Sequence, residues 1–152
     1  MLRISKLSDY AIVLLSEIAR EQGGQGVTAR HLAASTHIAL PTVVKLLKLL
    51  KDHGVLLSMQ GRNGGYRLAH RPSDTNLAVI IEAVEGPIAL TECMSEELDC
   101  QIHHNCNTKA HWVHINAAFR QALSVVNLND LTRGTMPVRV SWNGDRDRTP
   151  AL

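Results

Sequence analysis

Apolar residues recur at helical spacing through the first half of the chain, and glycine-rich or polar stretches break the pattern into pieces. Tyr10, Ile12, Val13, Leu14, Leu15 and Ile18 follow Ser8 and Asp9, which predicts a first helix capped by Ser8 or Asp9. The run Gly23-Gly24-Gln25-Gly26 stops it. Thr28 then caps a short helix through His31, Leu32, Ala33 and Ala34. A brief turn near His37 to Ala39 leads into a longer helix from Leu40 to His53, closed by Gly54. Pro41 suits the first turn of that helix, where its missing N–H leaves no hydrogen bond unmade. Val43, Leu46, Leu47 and Leu50 define a buried face, while Lys45, Lys48 and Lys51 stand on another side. Two short helices joined by a tight turn, the second of them basic, make a helix-turn-helix pattern.

Beyond Gly54 the pattern changes. Val55-Leu56-Leu57-Ser58-Met59 and Tyr66-Arg67-Leu68 flank Gln60-Gly61-Arg62-Asn63-Gly64-Gly65, two extended segments around a Gly/Asn turn, hence a β-hairpin. Ser73 or Asp74 is expected to cap a helix through Leu77, Val79, Ile80, Ile81 and Val84, ended by Gly86-Pro87. Trp112, Ile115, Phe119, Ala122 and Val126 recur at three- and four-residue spacing, a stripe that can pair with a second copy of itself. From Gly134 the chain turns polar and rich in Arg, Asp, Gly and Pro, as a loose tail does. The expected fold is mainly α with a small β-hairpin wing: a winged helix-turn-helix over 1–72, a segment 73–132 carrying a long C-terminal helix, and a disordered tail over 133–152.

Composition supports this class. The 152 residues include one Phe, two Tyr and two Trp, so aliphatic side chains must fill the core, as suits helices. The net charge of +2 says little, but its distribution says more. Lys45, Lys48, Lys51, Arg62, Arg67 and Arg71 face only Asp52 between Pro41 and Arg71, a basic region fit for phosphate. Glu85, Glu92, Glu96, Glu97 and Asp99 crowd the stretch from Glu85 to Cys100, which holds no Lys or Arg. Neither a secretory signal nor a bilayer-length apolar run is present, which leads to the expectation of a cytoplasmic protein with no membrane partner.

Cys93, Cys100 and Cys106 are the chain's three cysteines, spaced Cys-x6-Cys-x5-Cys within fourteen residues. A free cysteine often serves as a small buried hydrophobe, but clustering in an acidic, polar stretch favours metal or redox chemistry. Thiolates are the usual ligands of iron–sulfur clusters. The tight Cys-x2–4-Cys pair common in zinc sites is missing, as are a Cys-x-x-Cys redox motif, a phosphate-cradling loop and a nucleophile with an identifiable base. An enzyme is therefore not expected.

Several stretches together resemble one family. Arg3-Ile4-Ser5-Lys6-Leu7-Ser8-Asp9-Tyr10-Ala11, the wing Gly61-Arg62-Asn63-Gly64-Gly65-Tyr66-Arg67-Leu68 and the three-cysteine stretch are similar to the IscR/NsrR family of iron–sulfur winged-helix regulators, over about residues 1–132. Glu85-Gly86-Pro87-Ile88-Ala89-Leu90-Thr91-Glu92-Cys93 most resembles the branch regulating SUF iron–sulfur assembly genes. The resemblance implies a homodimer built on the long C-terminal helix, palindromic double-stranded DNA operators, and one 2Fe-2S or 4Fe-4S cluster per subunit on Cys93, Cys100 and Cys106. One form of the family completes the cluster with a histidine three residues past the last cysteine, where this chain has Lys109, a poor ligand. The other form uses an acidic residue of the first helix, matched here by Asp9; His103, His104 and His111 stay open as alternatives.

For DNA, Thr42 and Lys45 are the candidate base readers, because recognition helices read through their N-terminal turns. Lys48 and Lys51 are assigned to phosphate, and Arg62 and Asn63 of the wing to the minor groove. The function implied is a cluster-sensing repressor of SUF genes. The alternatives are a nitric-oxide or redox sensor of the NsrR type and, from another class, a zinc-stabilised interaction module.

Overall fold

The computed structural model describes residues 4–21, 26–61, 64–94 and 106–134. Their elements run α1 (Lys6–Arg20), α2 (Ala29–Thr36), α3 (Leu40–Asp52), β1 (Leu56–Met59), β2 (Gly65–Leu68), α4 (Leu77–Glu85), α5 (Lys109–Val125) and α6 (Leu128–Arg133). Short 3-10 turns occupy Pro72–Asp74 and Glu92–Met94. The core is aliphatic, as the composition requires: Leu14 and Leu15 of α1, Leu32 of α2, Leu46, Leu47 and Leu50 of α3, Ile80 of α4 and Leu128 of α6 are all fully buried.

The helix-turn-helix and the wing form as the periodicity predicts. His37 takes a left-handed conformation between α2 and α3 (φ 57°), and Val43, Leu46, Leu47 and Leu50 face inward. β1 and β2 pair antiparallel in the register Leu56↔Leu68 to Met59↔Gly65. The chain between α1 and α2 adds a bridge to this hairpin: Val27 N–H donates to the Tyr66 carbonyl at 2.9 Å, and Tyr66 N–H to the Val27 carbonyl at 2.8 Å. That approach explains Gly65. A Cβ there would lie 2.7 Å from both the Gly26 carbonyl carbon and the Val27 oxygen, on a backbone with φ +150°, a combination only glycine meets without strain.

Three boundaries differ from expectation. Ser5, not Ser8 or Asp9, caps α1, its Oγ accepting from Ser8 N–H at 3.2 Å. Ser8 is fully buried inside the helix, and its hydroxyl donates to Glu85 Oε1 at the end of α4. Asn76 caps α4 in place of Ser73 or Asp74, accepting from Val79 N–H at 3.1 Å, because Pro72–Asp74 is taken up by the 3-10 turn. The apolar stripe does not continue as one helix. α5 ends at Val125, and Asn127 and Asp130 form a reciprocal capping box that starts α6. Leu77 N–H donates to the Val126 carbonyl and Leu128 N–H to the Thr75 carbonyl, both at 2.8 Å. These bonds turn the chain back so that α6 packs on α1. Local side-chain hydrogen bonds by Asn and Asp have overridden helix propagation.

Glu85 ties the start of α1 to α4. It accepts from the Ser8 hydroxyl and, at 3.2 Å, from Ser5 N–H. Its partial burial raises its pKa, but the hydrogen bonds from Ser8 and Ser5 outweigh that and leave it below the ordinary 4.5. A carboxylate depressed on folding stabilises above its unfolded pKa, and that contribution is lost as pH falls through the folded value. Glu85→Gln is therefore expected to lower stability at pH 7 by about 0.5–1 kcal/mol, a charged hydrogen bond discounted for solvent exposure. Urea denaturation at pH 7 and below pH 4 checks this: the difference between the two chains should shrink in acid, and an unchanged difference would contradict it.

Candidate nucleic-acid interface and thiol site

The sequence of α3 leaves one side of the helix free. Lys45, Lys48 and Lys51 are exposed, whereas Thr42 is half-buried. Lys51 Nζ lies 3.3 Å from Asp52 Oδ1, an exposed pair of small energetic weight. Neither Lys45 nor Lys48 pairs with an acid among the described residues. No side chain caps the start of α3, where Ala39 holds the cap position, so the positive end of its dipole is left without a side-chain partner. Arg62 and Asn63 lie outside the described residues. On either side of them, Gly61 has φ +97° and Gly64 N–H donates to the Gly61 carbonyl at 2.9 Å.

Sequence reasoning missed two residues of this face. Leu40 is 40% and Val44 is 48% exposed. In Thr42-Val43-Val44 the two valines look alike on paper, but about 100° of helical rotation per residue sends Val43 into the core and Val44 outward.

The thiols occupy a different part of the molecule. Cys93 lies in the Glu92–Met94 turn and Cys106 shortly before α5; both are free and half-buried. Cys93 Sγ is 3.1 Å from Thr91 Oγ1, and Cys106 Sγ is 3.2 Å from Thr108 Oγ1. The Thr108 side chain and backbone N–H, helped by the backbone and charge of Lys109, hold the Cys106 thiol below its ordinary pKa against a weaker opposing effect of burial. That favours the thiolate, the form that binds metals. Cys100, His103 and His104 lie outside the described residues. Asp9 stands exposed in the first turn of α1, where a carboxylate also complements the helix dipole. His111 is exposed on α5. Among the described residues no three His, Cys, Asp or Glu side chains gather into a ligand group.

A strap leads from α4 to Cys93, and α5 holds it. Asn116 accepts from Leu90 N–H at 3.0 Å through Oδ1 and donates through Nδ2 to the Ile88 carbonyl at 2.8 Å. One turn along α5, Arg120 donates to both Glu82 carboxylate oxygens, at 2.6 and 2.9 Å. The helix that follows Cys106 is thereby fastened both to the strap before Cys93 and to α4. Sequence alone carried no signal for Asn116 or Arg120, whose partners are 26 to 38 residues away.

Removing the Asn116 clamp by Asn116→Ala should speed hydrogen exchange at the Leu90 amide about tenfold, the equivalent of one hydrogen bond. It should also raise the rate of Cys93 modification relative to Cys106. Mass-resolved exchange and thiol labelling read both, and unchanged Leu90 protection would rule the clamp out.

Comparison with known proteins agrees with this geometry. The family model Rrf2, described as an iron-dependent transcriptional regulator, matches residues 4–134. The chain is 29% identical over 132 residues to protein rrf2 of Nitratidesulfovibrio vulgaris, covering 87% of this chain and 88% of that protein. It is 24% identical to the transcriptional regulator IscR of Vibrio atlanticus, covering 96% of this chain and 84% of that one. The solved structure of CymR, the global cysteine regulator of B. subtilis, superposes with a TM-score of 0.69 at 26% identity, covering 90% of this chain and all of that one. No helix among the described residues is long and apolar enough to cross a membrane. With its winged helix-turn-helix and exposed basic helix, the chain belongs to the Rrf2 family of DNA-binding transcriptional regulators, which are not enzymes.

Proposed function

We propose that this protein is a repressor that senses iron–sulfur cluster status and controls SUF iron–sulfur assembly genes. The observation that carries the reading is the pair of free thiols, Cys93 and Cys106, set at the two ends of a strap-and-helix unit fastened to α4. Cys100 lies on the segment joining them. The donor chemistry suits an iron–sulfur cluster: soft thiols, of which Cys106 has a lowered pKa and the two described, Cys93 and Cys106, are free.

Cys93, Cys100 and Cys106 would hold the cluster, with Asp9 of the partner subunit as the fourth ligand. When bound, the cluster would supply iron able to react with oxidants or nitric oxide, and a carboxylate such as Asp9 would hold it more labilely than a thiolate does, because protonation releases it. The remaining work belongs to the chain. Asn116 keeps the strap against α5, Arg120 ties α5 to α4 through Glu82, and Glu85 ties α4 to the start of α1, which carries Asp9. A homodimer through α5 is supported by that helix having no buried residue of its own in the chain, with Ile115 of the predicted stripe 47% exposed. The basic face of α3 and the wing, with Thr42, Lys45, Lys48, Lys51, Arg62 and Asn63, would meet a palindromic operator, one half-site per subunit.

A nitric-oxide or redox sensor of the NsrR type uses the same ligands, and the promoter occupied in the cell separates it from the SUF reading. Purification without oxygen tests the cofactor. The expected result is a brown protein with stoichiometric iron and sulfide whose colour is lost in Cys93→Ala and weakened in Asp9→Ala. A colourless protein holding zinc, or one that stays colourless after reconstitution with iron and sulfide, would overturn the cluster reading.

A further inference from the structure

On the exposed side of α3, apolar side chains come first and basic ones follow. Leu40, Pro41 and Val44 are exposed in its opening turns, and Lys45, Lys48 and Lys51 are exposed behind them. Leu40, Val44 and Lys48 fall at four-residue intervals and so share one ridge. Neither of the usual reasons for a residue explains Val44. At 48% exposure it stands outside the buried core, and a β-branched residue is a weaker helix former than alanine or lysine. The fold alone would be served at least as well by a polar helix former.

We propose, resting on the DNA-binding reading of α3, that Val44, with Leu40 beside it, is a specificity-determining contact that reads thymine methyl groups in the major groove. The occupant follows from charge and shape together. Lys45 and Lys48, free of acidic partners among the described residues, draw α3 toward a phosphate backbone, and the opening turns of a recognition helix then meet base edges. The thymine C5-methyl is the one apolar feature that the major groove presents, and a valine has no polar atom with which to read anything else. Lys48 gives affinity without sequence information, whereas Val44 gives discrimination. The operator half-site is therefore expected to hold a thymine whose methyl group, and not its hydrogen-bonding edge, is what the protein recognises at that position.

Replacing thymine by uracil removes the methyl and nothing else. The full-length chain, both as purified without oxygen and after iron chelation, selects duplexes from a random pool, and the enriched duplex is resynthesised with uracil at each thymine in turn. At one or two positions per half-site uracil should weaken binding about three- to fivefold, the worth of one buried methyl. Val44→Ala, at an exposed position where alanine favours the helix, should bind the thymine and uracil duplexes equally there. Lys48→Ala should weaken both duplexes by the same factor and keep their ratio. An enriched duplex that shows no uracil effect, or one whose effect survives in both Val44→Ala and Leu40→Ala, overturns the methyl readout while leaving DNA binding intact. Failure to enrich any duplex in either state overturns the DNA-binding reading of α3 itself, and the methyl readout with it.

Discussion

α4 is held on two sides by interactions of different kinds, and the relation between the two halves of the molecule depends on it. Ile80 and Ala83 sit in the same aliphatic core as Leu46 and Leu50 of α3, so α3 and α4 share one close-packed interior. The polar side of α4 meets α5 and α1: Glu82 receives two hydrogen bonds from Arg120 of α5, and Glu85 receives those of Ser5 and Ser8 at the start of α1. Close-packed interiors shift between discrete arrangements rather than deforming smoothly. α4 thus joins α5 on one side to α3 on the other, and the same helix ties in the turn of α1 that carries Asp9.

The elements that form from local pattern were legible in the sequence. Thr28 as a cap, the inward face of Val43, Leu46, Leu47 and Leu50, and the Gly/Asn hairpin all appear where periodicity and turn chemistry put them. The misreadings share one cause, which is that a polar side chain's partner cannot be seen from its own neighbourhood. Ser8 or Asp9 is the expected cap of α1, yet Ser5 holds that place, and Ser8 lies inside the helix with its partner Glu85 77 residues on. Asn127 and Asp130 are an exception, since their spacing is a capping box in the sequence itself, yet the apolar stripe through Val126 masks it. Val44 went unread for the opposite reason: a valine beside a buried valine looks like core until the rotation of the helix is drawn.

The candidate site was legible in its chemistry more than in its geometry. Three cysteines in fourteen residues announce metal or redox work, but the devices that position them, Asn116 above all, join segments far apart in the chain. Relatives with this fold bear names as different as IscR and the global cysteine regulator CymR, so the scaffold does not by itself dictate the signal. In this chain the signal reading rests on the thiols and on their fastening to α4.

The central claim is that the state of the thiol site changes DNA binding. The most direct test titrates one selected duplex with the same full-length protein before and after removal of its iron, alongside Cys93→Ala. The account predicts affinities that differ about tenfold or more, within the usual range for coupled sites, with Cys93→Ala matching the iron-free protein under both conditions. Equal affinities of the iron-loaded and iron-free forms would contradict it.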